Sequence, residues 1–260
     1  MHAVNSLQLS TEKWEQPVDL LKTADTAEKI EVLEEQFDDL HQRLMSELTE
    51  GEGCSGIELL RALTMLPISV RKEYESSIQQ MLPTLEGRGT ITELFLRLSP
   101  LFIFIDYGLL EHLVLKFGST KLKEDMSSYV STVRVFMRET TVGELMKYWP
   151  GDEQPHVNYS KLKAKFSDDP KTYTLERLNN FRRKFCSKVR LSEFIFGLVI
   201  LEEVESFLAV WLVPTTVVPE LIQAASEIDD GFYQMEHVLM VSLDQELLYQ
   251  AESVLKSEVI

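Results

Sequence analysis

The sequence predicts an α+β fold that is mainly α, with an N-terminal helical bundle followed by a small α-β-β-α-β module. Apolar residues recur at helical spacing through residues 27–149, between loops that contain glycine or proline. Beyond residue 190, two short runs of β-branched and aromatic residues are typical of strands. We therefore divide the chain into an N-terminal tail (1–26), a helical bundle (27–149) and a small α+β module with a basic first helix (156–260).

The first predicted helix spans residues 27–49 and has a heptad seam. Apolar residues recur along it at alternating spacings of three and four, at Ile30, Leu33, Phe37, Leu40 and Leu44. The opposite face is rich in glutamate and aspartate. Because the seam covers only about two heptads, fewer than a stable coiled coil needs, we expect this helix to pack within the chain. Self-association through residues 27–49 is the alternative.

The most apolar part of the protein is residues 94–138, which we expect to form a helical hairpin at the centre of the core. Its two helices meet at Gly118-Ser119, where glycine can end one helix and serine can cap the next. Charged residues such as Arg97 and Asp106 interrupt the apolar run, so we predict no membrane span. Capping boxes that start at Ser55, Thr90 and Thr141 predict further helix starts.

The second part of the chain begins after a segment rich in proline, residues 149–155. Residues 156–173 are interpreted as polar and irregular. Thr174 is expected to cap the basic helix, and residues 194–201 and 207–213 are expected to form a β-hairpin. A helix that begins near Thr216 and a strand over residues 237–243 follow, with residues 246–250 as a possible partner strand.

Charge is unevenly distributed along this acidic chain. The 260 residues carry a net charge of −16, which argues against binding to nucleic acid through bulk charge. Residues 161–190 nevertheless hold 10 basic and 3 acidic residues. One interpretation is that these cations neutralise acidic groups of the same chain. The other is a docking patch for a protein partner with an acidic surface, on the outer face of the basic helix. The candidate partner-binding residues are Arg177, Arg182, Arg183, Lys184 and Lys188.

The search for chemistry finds no nucleotide-binding P-loop, no G-x-S-x-G nucleophile motif and no H-E-x-x-H zinc motif. We therefore predict no catalytic residue, no metal site and no cofactor. Cys54 and Cys186 are too few for a metal cluster or a disulfide framework and are expected to be buried free thiols. The N-terminus has no signal-peptide pattern, which favours a cytoplasmic location. An alternative hypothesis for Cys186 is that the cations near it lower its pKa and make it reactive.

Asp106 is the oddest residue of the apolar stretch. A carboxylate among isoleucine, phenylalanine and leucine must be capped, paired or exposed. We expect Asp106 to act as the N-cap of a helix that starts at Tyr107, because aspartate is a preferred cap. The alternative is a buried acid at a functional site.

Several segments resemble a module found in uncharacterised proteins of sponges, corals and other early animals. The resemblance covers roughly residues 55–250 and rests on 104–112, 116–119, 174–178, 185–187, 191–194, 206–207 and 211–214. In that group the module is an accessory region of multidomain signalling proteins, often beside death-fold, ankyrin or nucleotide-binding domains. The resemblance implies an interaction module in signalling or innate immunity and supplies no catalytic residues.

These observations favour a non-catalytic intracellular adaptor or scaffold that binds a protein partner. The alternative is an enzyme or a small-ligand-binding protein whose site assembles from scattered residues such as Asp106 or Cys186 with a histidine.

Overall fold

The computed structural model describes residues 24–50, 55–81, 89–149, 157–204 and 206–251. The helices that precede the sheet are α1 (Thr26–Glu50), α2 (Gly56–Ala62), α3 (Ile68–Met81), α4 (Gly89–Leu98), α5 (Gly108–Phe117), α6 (Thr120–Glu139) and α7 (Val142–Tyr148). The remaining elements are β1 (Tyr159–Phe166), α8 (Leu175–Val189), β2 (Gly197–Val204), β3 (Ser206–Pro214), α9 (Val218–Ala225), α10 (Asp230–Met235), β4 (Val238–Leu243) and β5 (Glu246–Gln250). The predicted class, α+β and mainly α, is confirmed.

The heptad seam of α1 lies inside the fold. Its apolar residues, from Ile30 to Leu48, are all buried, and α1 packs chiefly against α6. The prediction that this helix packs within the chain is therefore confirmed. Because the chain's own helices cover the seam, its apolar residues are not exposed for self-association.

The strands form one antiparallel sheet in the order β2-β3-β1-β4-β5, and its central strand is the one the sequence analysis missed. The sequence analysis assigns residues 159–166 to an irregular polar segment, but they form β1, with lysines at positions 161, 163 and 165. Ser160, Leu162, Ala164 and Phe166 between them are buried, which is the alternation of a half-buried strand. The lysines belong to the opposite face of the sheet, so their frequency hid the pattern.

The predicted β-hairpin is confirmed, with different boundaries. Strand β2 starts at Gly197, because residues Glu193–Ile195 form a 3₁₀ turn instead of the first residues of a strand. Strand β3 pairs with β2 on one side and with β1 on the other. The pairing of residues 246–250 with the preceding strand is also confirmed, as β4 and β5.

One continuous hydrophobic core joins the helices to one face of the sheet. Near its centre, the ring of Phe166 on β1 stacks on Phe207 of β3 at 4.7 Å and meets Phe181 of α8 edge-on at 5.0 Å. Aromatic pairs in these geometries add to the free energy gained by burial. Helix α8 is thereby held between the sheet and α6, the element it contacts on its other side.

None of the helices in the described part of the chain is both long enough and apolar enough to cross a membrane.

Candidate functional sites around helix α8

Helix α8 carries all five residues that the sequence analysis selected for partner binding. Thr174 caps its start by accepting a hydrogen bond from the backbone N–H of Arg177, as predicted. At the other end Arg190 adopts a left-handed conformation with φ of 57°. Leu178, Phe181 and Phe185 face the core. The position of each basic side chain around the helix then decides whether it can reach a partner.

Arg182 does not lie on the outer face of α8, which corrects the prediction for this residue. It is only 8% exposed. Its Nη1 lies 2.5 Å from Oδ1 of Asp106 and donates to the backbone carbonyl of Phe196 at 2.9 Å, while Nη2 donates to Asn179 at 2.7 Å. A guanidinium with these partners is structural and is not available to a docking protein.

Asp106 is not an N-cap, so the preferred interpretation of this residue was wrong. Helix α5 begins at Gly108, and its cap residue, Tyr107, makes no side-chain capping bond. The Asp106 side chain is 7% exposed and accepts a hydrogen bond from the backbone N–H of Leu198 at 2.7 Å. Burial raises the pKa of the Asp106 carboxyl, and the Arg182 guanidinium and the Leu198 N–H oppose that rise.

The pair Asp106–Arg182 therefore connects three parts of the fold. Asp106 belongs to the loop before α5, Arg182 to α8, and the N–H of Leu198 to strand β2 at the edge of the sheet. The Asp106 carboxylate thus pairs with a backbone N–H that an edge strand would otherwise leave without a partner. We conclude that Asp106 acts in a buried charge network that fixes α8 and β2 to the helical region.

The other four basic residues of the candidate set lie on the surface, and each has a partner within the chain. Arg177 pairs with Asp168 and stacks on the ring of Tyr173 at 4.3 Å from its centroid. The remaining contacts are Arg183–Glu193 at 2.8 Å, Lys184–Glu236 at 2.5 Å, and Lys188 at 5.9 Å from the ring centroid of Phe232. Internal charge complementarity, one of the two interpretations of the basic segment, thus exists for Arg177, Arg183 and Lys184.

A groove of about 400 Å³ nevertheless runs along this face between α8 and the end of α10. Three cations (Arg177, Arg183 and Lys184) and two carboxylates (Glu176 and Glu236) line it, together with Thr174, Asn180 and Met235. Met235 is 73% exposed and gives the groove one large apolar side chain. Three cations around an exposed methionine can bind an acidic segment that also carries an apolar residue.

Cys186 has no reactive environment, and the hypothesis of an activated thiol is wrong. The residue is 2% exposed and is a free cysteine. Burial raises its pKa to about 12, and the nearby Arg182 opposes this only in part. At neutral pH the sulfur is therefore a protonated thiol that packs in the core. Cys54 lies outside the described residues.

Two further features of the chain, a set of glycines and its metal-binding side-chain types, bear on ligand binding. Gly51, Gly53 and Gly56 have the spacing of a G-x-G-x-x-G motif, which binds a dinucleotide only when a strand precedes it. Here helix α1 precedes it, so the spacing does not indicate a nucleotide site. Among the described residues, no three histidine, cysteine or acidic side chains converge on a position for a metal ion.

Sequence reasoning found the basic helix but missed the groove. Met235 and Glu236 lie about fifty positions further along the chain than the α8 residues they approach. No local sequence pattern predicts that contact. The burial of Arg182, in contrast, is predictable from the sequence. Arg182 stands four positions after Leu178 and three before Phe185, which places it on the apolar stripe of the helix.

Comparison of the chain with family models, with curated proteins and with solved structures finds no match.

Proposed function

We propose that this protein is a non-catalytic protein–protein interaction module that binds an acidic segment of its partner in the groove between α8 and α10. The observation that carries this proposal is the combination, in one groove, of three surface cations and an exposed Met235. The partner segment would place carboxylates on the cations and an apolar side chain on the methionine. Binding surfaces commonly combine such an apolar anchor with a charged rim.

The intramolecular ion pairs of the groove do not prevent this binding. Arg183 donates to Glu193 only through Nε, and its two η nitrogens have no partner among the described residues. A partner carboxylate can therefore bind the guanidinium without displacing Glu193. The side chain of Lys184 is 59% exposed, and its ammonium group has three donors, so it can bind a partner carboxylate while it stays paired with Glu236.

The resemblance to accessory modules of signalling proteins suggests where such binding would be used. On that basis we place the protein among cytoplasmic adaptors or scaffolds of death-fold or innate-immune-type signalling. The buried free thiol of Cys186 is compatible with a reducing compartment.

A photo-crosslinking residue in place of Asn180, which is exposed at the groove, tests the proposal. In extract from cells that express the protein, we expect it to crosslink a partner whose crosslinked peptide is acidic. The double variant Arg183→Gln/Lys184→Gln should lose that product. The matched control is Lys121→Gln/Lys147→Gln, which removes two exposed cations from α6 and α7 and should retain the product.

Thermal unfolding of both double variants shows whether the fold is intact, so that loss of the product can be assigned to binding. A product that survives the groove variant, or one that forms equally well from a crosslinker at Lys121, would show that the groove is not the docking site.

A further inference from the structure

A second cleft, of about 420 Å³, lies where α1, the 3₁₀ turn Ser99–Leu101 and strand β2 meet. Its walls are aromatic and aliphatic, and include Phe37, Phe102 and Trp149. Its charged groups are two carboxylates of α1, the half-buried Glu34 and, at the rim, the exposed Asp38. These are four positions apart and therefore stand one above the other on the same face of the helix.

Within the described residues, no cation pairs with the two carboxylates of this aromatic cleft. Neither Glu34 nor Asp38 makes an ion pair or a hydrogen bond with any other residue in the described part of the chain. Burial, together with the negative charges of Asp38 and Glu31, raises the pKa of Glu34. Around α8, by comparison, Asp168, Glu193 and Glu236 each pair with an arginine or a lysine of that helix.

The carboxylates and aromatic walls of the cleft determine which class of ligand it can bind. Carboxylates repel anions, and a neutral apolar ligand would remove water from Glu34 without replacing it. Hard metal ions such as Ca²⁺ prefer six or more oxygen ligands, which two carboxylates among aromatic rings do not supply. A cation on an aliphatic stem suits both the carboxylates and the aromatic walls of the cleft. Ammonium groups are attracted to carboxylates and to the faces of aromatic rings.

We propose that this cleft binds an alkylammonium group, with the charge at Glu34 and Asp38 and the aliphatic stem against Phe102 and Trp149. Such a group is found on free amines and on lysine side chains. The site goes beyond the function proposed above. It consists of different elements and selects the opposite charge, so either proposal can fail without the other.

Calorimetric titration of the intact protein distinguishes the two sources of the cation. The probes are cadaverine, as a free amine, and a short extended peptide with a single lysine. The same peptide with an acetylated lysine side chain is the neutral control. We expect saturable binding of at least one amine and none of the acetylated peptide. A preference for cadaverine would indicate a small-molecule ligand, and a preference for the lysine peptide a protein ligand.

The variant Glu34→Gln/Asp38→Asn should weaken binding about tenfold or more, because it removes both charges that face the ammonium group. Its matched control is Glu124→Gln/Glu139→Gln, which removes two exposed carboxylates of α6 and should leave the affinity unchanged. Trp149→Leu should also weaken binding, with circular dichroism to verify the fold. Absence of saturable binding of both amines, or equal affinity in the two double variants, would overturn the proposal.

Discussion

Replacement of Asp106 by alanine tests the buried charge network most sharply. The variant leaves the Arg182 guanidinium, whose side chain is 9% exposed, without its counter-ion. Removal of one partner from a buried ion pair costs about 3–5 kcal/mol of unfolding free energy. The backbone N–H of Leu198 also loses its acceptor, which costs about 1–3 kcal/mol for a buried donor. Since the two losses are not independent, we expect a total of about 4 kcal/mol.

The assay is equilibrium unfolding in urea, followed by circular dichroism, together with the melting temperature. A loss of about 4 kcal/mol corresponds to a fall of roughly 8–16 °C in a protein of this size class. Asp106→Asn keeps an acceptor for the N–H of Leu198 and should lose less than Asp106→Ala.

Asp229 is a matched control for this experiment because it is a true N-cap. It is exposed, and its side chain accepts a hydrogen bond from the backbone N–H of Gly231 at the start of α10. Asp229→Ala should therefore cost only about 1 kcal/mol, the usual value for a cap. An equally small loss for Asp106→Ala would refute the buried network and restore the capping interpretation.

Three further predictions concern single residues. Burial lowers the pKa of His41, so the folded protein binds fewer protons than the unfolded chain. The unfolding free energy should therefore fall as the pH falls below about 6.5. In urea titrations at pH 7.5 and 5.5, His41→Phe should remove part of that fall. With Cys54→Ser to isolate it, Cys186 should react with a thiol reagent far more slowly than a free model thiol; an equal or faster rate would contradict its burial. Gly197→Ala would place a Cβ 2.5 Å from the carbonyl oxygen of Pro100, so a melting temperature equal to that of the wild type would contradict this close approach.

Sequence patterns predicted much of the helical part because the residues that determine its helices are close together in the sequence. The capping boxes at Ser55 and Thr141 both form in the structure, with each serine or threonine hydroxyl and each glutamate in reciprocal hydrogen bonds. The capping box predicted at Thr90 is wrong, because Thr90 lies within α4 and its hydroxyl accepts a hydrogen bond from the backbone N–H of Gly56. The heptad seam of α1 likewise identified its buried face. In these cases the residues that decide the structure lie within one or two helical turns of each other.

The errors came from contacts between residues that are distant in sequence. Asp106 looked like a cap because its true partners, Arg182 and Leu198, lie on elements that only the fold brings together. The groove between α8 and α10 and the cleft beside α1 were missed for the same reason, because residues distant in sequence line them. Strand β1 was a different error, because its alternating pattern was present in the sequence and its lysines obscured it.

The most direct test of the interaction module is hydrogen–deuterium exchange of the protein with and without the partner peptide identified by crosslinking. Our account predicts slower exchange in residues 174–190 and 230–236, which form the groove, and unchanged exchange in α1 and β5. Slower exchange confined to α1 or to the edge strand β5, with α8 unaffected, would contradict it.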